Sequence, residues 1–228
     1  MAVPANGLVA AVPTGWSLAD AAPGMEGAHY AHAFLRVSRL TAGDRALVHG
    51  ATGGIGTALV QLLNSAGVEV TAVCDHLPVD RPALLEDLGA VRVVEVATSP
   101  GLSEVGSGFD AVFAASGHMS FGAARRLLRP GGSFASSEVG RGGQNILLAA
   151  AGPAARVLRR RHVRFPLPHA DAGLAGHLRD LMGSGAYHPV VDRTYPFSEI
   201  GDAYASVDSG RKIGNVVVTM PGSTSPGS

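Results

Sequence analysis

The 228 residues carry 18 basic and 18 acidic side chains, a formal charge of zero, with 46% apolar residues and one cysteine. That balance leaves no electrostatic footprint for nucleic acid or an acidic membrane surface. A single cysteine excludes an internal disulfide and a Cys-rich metal site.

A chain of this length can bury roughly 70% of its unfolded surface, enough for one domain or one and a half. It shows no basic segment followed by an apolar leader, and no uncharged apolar run near the roughly 20 residues that span a bilayer. The expectation is a soluble protein of a reducing cytoplasm.

From about residue 44 to 167, strand-like and helix-like runs alternate, the signature of a parallel sheet with helices on both faces. Arg45 to Val48 reads as the first strand. Ile55, Ala58, Leu59, Leu62, Leu63 and Ala66 then recur at helical spacing, and Gly67 caps that helix. Val68 to Cys74 is the second strand. Asp80-Arg81-Pro82 opens a short helix that stops at Gly89. Val91 to Val96 and Asp110 to Ala114 are the third and fourth strands. Phe121, Ala124, Leu127 and Leu128 mark a helix ended by Pro130-Gly131-Gly132, before a strand from Ser133 to Ser137. Asn145 to Arg160 reads as helical despite Pro153, and His162 to Phe165 as extended. Leu174, His177, Leu178, Leu181 and Met182 line a helix starting near Asp171. Val190-Val191 is extended, Ser198 caps a helix carrying Ile200, Ala203, Tyr204 and Val207, and Asn215 to Met220 is a last strand. The Gly/Ser/Pro-rich tail 221–228 is expected to be disordered.

The stretch Val48-His49-Gly50-Ala51-Thr52-Gly53-Gly54-Ile55-Gly56 joins the first strand to its helix, the arrangement that cradles a dinucleotide diphosphate. Glycines there allow a tight turn, close approach to a phosphate and tight helix–strand packing. The amides that open the helix face the anion with the positive end of its dipole. Asp75 lies 19 residues beyond Gly56, where an acid meets ribose hydroxyls. A carboxylate there favours NAD and repels the 2′-phosphate of NADP, although Arg81 stands close enough in sequence to reach that phosphate.

The chain resembles the medium-chain dehydrogenase/reductase superfamily, and within it the zinc-independent quinone oxidoreductase-like branch. The likeness runs from about residue 2 to 220. It rests on Pro13-Thr14-Gly15-Trp16-Ser17, Gly27-Ala28-His29-Tyr30-Ala31, the glycine loop, Leu88-Gly89-Ala90 and Phe109-Asp110-Ala111-Val112-Phe113. Leu127-Leu128-Arg129-Pro130-Gly131-Gly132 adds to it. Its most specific part is Pro189 to Pro196 with Gly210-Arg211-Lys212-Ile213-Gly214-Asn215-Val216-Val217-Val218. The resemblance implies a Rossmann-type doubly wound parallel sheet, α/β in class, with N- and C-terminal remnants of a GroES-like catalytic domain. Residues 1–40 would be a remnant with a linking helix, 41–185 the dinucleotide-binding domain and 186–220 the C-terminal segment of the catalytic domain. Most of that domain is missing, so a homodimer or a partner chain supplying it is expected.

The implied activity is NAD(P)H-dependent hydride transfer to a small-molecule quinone, enone or carbonyl. Thr52, Gly53, Gly54, Ile55 and Gly56 would hold the diphosphate, Asp75 the ribose, and Ser116, Gly117 and Ser137 the nicotinamide half. Ala114 stands where the family has an acid, and Glu95-Val96 where it has an acidic-aromatic pair. No catalytic side chain is assigned, because the substrate wall of the cleft is absent.

Other readings are weaker. The glycine loop also suits short-chain dehydrogenases, but none of the four tyrosines has the lysine four residues on that such chemistry needs. No Gly-x-Ser-x-Gly elbow supports acyl transfer. No His-x-x-x-His pair suggests zinc, and no metal site is expected. His29, Tyr30 and His118 read first as packed side chains, and the arginines at 156, 159, 160, 161 and 164 as a solvated face or dimer edge. Two alternatives stay open: an inactive nucleotide-binding module that acts with a partner, and a non-redox enzyme in a vacated cofactor pocket.

Overall fold

The computed structural model describes residues 9–81, 83–96, 102, 104–116, 118–138, 161–168 and 172–221. A short helix α1 (Leu18–Ala21) is capped by the Ser17 hydroxyl, which accepts from the Asp20 amide, and leads to α2 (Glu26–Ser38). The alternating part follows: β1 (Arg45–His49), α3 (Gly54–Ser65), β2 (Glu69–Cys74), α4 (Leu84–Asp87) and β3 (Ala90–Glu95). Then come β4 (Phe109–Ala114), α5 (Phe121–Leu127), β5 (Leu128–Ser136) and β6 (His162–Arg164). The chain continues through α6 (Ala172–Gly183), β7 (Val191–Pro196), α7 (Ile200–Asp208) and β8 (Asn215–Thr219).

Six strands form one sheet in the order β3-β2-β1-β4-β5-β6, every neighbouring pair parallel. This is the doubly wound Rossmann order, and its direction reverses between β1 and β4. β7 and β8 pair as a separate parallel ribbon.

Successive strand side chains point to opposite faces, so the apolar runs feed two cores. On one face Ala46, Val48, Val70, Ala72, Ala111 and Phe113 pack under α2, α3 and α6. On the other, Leu47, Val73, Val112, Ala114 and Phe134 pack with Phe121, Ala124 and Leu127 of α5. Phe34 of α2 meets Phe113 edge to face, centroids 5.6 Å apart, both fully buried.

Three elements differ from the sequence reading. The strand expected from Ser133 begins at Leu128, which pairs with Phe109; residues 129–132 then bulge, with Gly131 at a φ of +85°, before Ser133 pairs with Ala111. The helix expected to start at a Ser198 cap starts with a 3₁₀ turn over Phe197–Glu199, without a side-chain cap. The extended pair Val190-Val191 grows into β7, which ends at Pro196. The helix expected over Asn145 to Arg160 and the tail from 222 lie outside the described residues.

Candidate nucleotide-binding site

At the switch point, β1 ends at His49 and the backbone turns through Gly50, whose φ of +78° suits glycine. A Cβ at Gly50 would also sit 2.6 Å from the Cβ of Ser116. The Gly50 and Ala51 amides donate to the Val73 carbonyl at 2.9 and 3.0 Å, locking the turn to β2. α3 then starts behind Gly53, and no side chain caps it. Its first amides are left for another acceptor, as at an anion-binding helix end.

A cavity of about 510 Å³ opens over this helix end. It lies beyond the carboxyl ends of β1, β2 and β4, where open α/β sheets bind ligands. Of the residues singled out from sequence, Thr52, Gly53, Gly54, Ile55, Asp75 and Ser116 line it. Gly56 and Ser137 do not. Gly56 is a packing position, because a Cβ there would lie 2.1 Å from the Gly50 carbonyl oxygen. The Ser137 hydroxyl turns instead to the carbonyls of Ala114 and Ala115, at 3.4 and 3.3 Å. Gly117 lies outside the described residues.

Sequence reasoning did not assign Glu26, His76, Lys212, Asn215 or Val216 to this cavity, yet all line it. Most come from the segment after α7, which clamps onto the glycine turn. Gly214 donates its N–H to the Thr52 carbonyl at 2.7 Å and pairs with Gly53 in a parallel bridge. His76 Nε2 donates to the Arg211 carbonyl at 3.0 Å, tying the same segment to the end of β2. Lys212 is the only lysine in the chain, which marks the residue in the sequence but not its place in the fold.

Two groups near the cavity have shifted acidities. Burial holds the His49 imidazole below its ordinary value, opposed by the charge of Asp75 and assisted by His118. Its Nδ1 lies 3.2 Å from Ser116 Oγ, so the imidazole orients a hydroxyl of the cavity wall. Burial likewise lowers the Lys212 ammonium, against the charges of Asp192 and Glu26. Cys74, buried at the end of β2, has its thiol pushed up to about 12 by burial and then by nearby carboxylates, which leaves it inert. Among the described residues no three His, Cys, Asp or Glu side chains gather as a metal site, and no helix is long and apolar enough to cross a membrane.

A family model described as zinc-binding dehydrogenase matches residues 88–218. Over 241 residues the chain is 30% identical to the spectinabilin polyketide synthase system protein NorB of Streptomyces orinoci, covering 99% of this chain and 10% of that protein. It is 27% identical over 194 residues to the mitochondrial NAD(P)H oxidoreductase RTN4IP1 of Mus musculus, covering 78% of this chain and 48% of that one. The chain therefore spans a tenth of one relative and about half of the other. The crystal structure of CurK enoyl reductase superposes with a TM-score of 0.72 at 22% identity, over 93% of this chain and 65% of that one. At such identity the likeness speaks to the fold alone.

Proposed function

This chain belongs to the zinc-binding dehydrogenase family of the medium-chain dehydrogenase/reductase superfamily, and we propose that it is an NAD(P)H-dependent reductase of activated double bonds or carbonyls. The observation that carries this reading is the uncapped start of α3 facing a cavity at the sheet's switch point. The likeness to a polyketide synthase system protein supports an acceptor met in polyketide assembly over a free quinone.

A nicotinamide dinucleotide bound here would supply the hydride, and the protein would supply binding and orientation. The residues present fit that group. The amides of the α3 first turn hold the diphosphate, and Thr52, Gly53 and Gly54 leave room for it. The Asp75 carboxylate accepts the adenosine ribose hydroxyls, which favours NAD over NADP. Ser116, held by His49, faces the nicotinamide half. We read the chemistry as zinc-independent, because one cysteine and no His-x-x-x-His pair cannot supply the usual ligand sets of such zinc sites. Among the cavity residues Cys74, the only cysteine, does not appear. We place the protein in the cytoplasm, as a homodimer or beside a partner chain.

The short span relative to NorB and CurK supports a second reading, a nucleotide-binding module that needs a partner for turnover. Fluorescence titration with NADH and NADPH, followed by loss of absorbance at 340 nm with an enoyl thioester and a quinone, separates the two. Binding with turnover is expected; binding without turnover favours the module. Indifference to both nucleotides ends the reductase reading.

A further inference from the structure

Seventeen of the 18 basic residues are arginine, and the one lysine, Lys212, stands in the wall of the nucleotide cavity. Among the described residues it is the only lysine or arginine there, while Glu26 and Asp75 line the same wall as acids. Its ammonium donates to the Gly214 carbonyl at 2.6 Å and forms no ion pair among the described residues. Gly214 is itself bonded to Thr52 and bridged to Gly53, so the ammonium is carried directly beside the glycine turn. Asn215 lies as close: a Cβ on Gly54 would come within 2.6 Å of its Oδ1.

The charge balance of the wall makes this position decisive. A helix N-terminus offers about half a positive charge. Two carboxylates outweigh it, and a diphosphate carries roughly two negative charges more. The half-buried ammonium feels the charges of Asp192 and Glu26 without a direct ion pair to either, and a diphosphate would give it one. Lysine presents three donors as a point charge, and only one is spent on Gly214.

We propose that Lys212 is the diphosphate-binding cation of this cavity, delivered by the C-terminal segment rather than by the Rossmann sheet. The proposal rests on the nucleotide reading above. It predicts that affinity lost with Lys212 depends on phosphate and not on the base or ribose.

Calorimetry of the full chain with ADP and with adenosine tests it. Lys212→Met should weaken ADP about ten- to hundredfold, the range for a hydrogen bond to a charged group, and leave adenosine unchanged. Lys212→Arg should recover most of the loss. A second measurement needs no variant, because the wild-type chain holds a single ε-amine. ADP should slow acylation of Lys212 by an amine-reactive ester, read from the mass of its peptide, and adenosine should not. Equal ADP affinity in Lys212→Met, or acylation indifferent to bound ADP, overturns the proposal while the nucleotide reading stands. Failure of the wild type to bind ADP, NADH and NADPH overturns that reading and the proposal with it.

Discussion

On the proposed reading Asp75, at the tip of β2, would set the cofactor preference of the cavity, and burial of His49, at the tip of β1, gives the fold a response to pH. Asp75 is exposed at the end of β2 and lines the cavity. Replacing it with asparagine removes the charge that ribose hydroxyls donate to and that a 2′-phosphate would meet. NADH should weaken roughly tenfold, a charged hydrogen bond's worth, and NADPH less, so the ratio of dissociation constants from fluorescence titration should move toward NADPH. His49 acts through protonation. Its folded pKa lies below 6.5, so the folded state prefers the neutral ring. Above pH 6.5 its contribution to stability is complete. As pH falls from 6.5 toward the folded value, the unfolded chain binds the proton first and stability declines. Thermal melts between pH 7.5 and 5 should show that decline, and His49→Gln should flatten it. Asp75 was legible in the sequence because its distance from the glycine loop is fixed by one helix and one strand. Lys212 and Glu26 were not, because long-range packing alone brings residue 212 onto residue 53 and residue 26 into the same wall.

The β1–α3–β2 unit is where local sequence and final structure agree best. Its glycine turn, helical period and cap are all short-range signals, and α3 runs from Gly54 to Ser65 as the pattern requires. Gly56 is its tightest point. Gly56→Ala would place a methyl 2.1 Å from the Gly50 carbonyl oxygen and 2.7 Å from Ala51 Cα, both backbone atoms. Overpacking of this kind costs about 1–3 kcal/mol. Urea denaturation should register it, and nucleotide affinity should fall because the turn itself must shift. Gly176→Ala in α6, with nothing within 4 Å, is the control and should be neutral or stabilising by up to about 1 kcal/mol. β5 shows the opposite case. Leu128-Arg129-Pro130-Gly131-Gly132 carries strong turn chemistry, yet Leu128 pairs with Phe109 and the Asp110 carboxylate pairs with Arg129 and accepts the Arg45 amide at 2.9 Å. The turn chemistry therefore shows as a bulge inside the strand and not as its start, and a single-sequence pattern carries no record of the partner that pairs Leu128 ahead of it.

At the scale of the whole molecule, the question is whether the segment beyond residue 185 is an appendage or part of the nucleotide fold. Its contacts cross the expected boundary. Tyr187 is 1% exposed and packs in the same core as Phe34, Leu63 and Phe113. Next to it, Gln61 of α3 donates to the His188 carbonyl at 2.9 Å and accepts the His188 amide at 2.8 Å. Gly214 closes the glycine turn from the same side. A chain ending at Gly185 would open the face of α3 that holds the core and strip the cavity of Lys212, Asn215 and Val216. We therefore expect that truncation to lose both cooperative unfolding and nucleotide binding. Tyr187→Ala in the full chain should cost about 3–5 kcal/mol, the range for truncating a buried aromatic. ADP at a hundred times its dissociation constant should restore about 2.7 kcal/mol of that loss in the same melts, because binding to the folded state alone adds stability by mass action. Were the segment an appendage, the truncated chain would melt cooperatively and bind ADP as the full chain does, and circular dichroism with calorimetry distinguishes the outcomes.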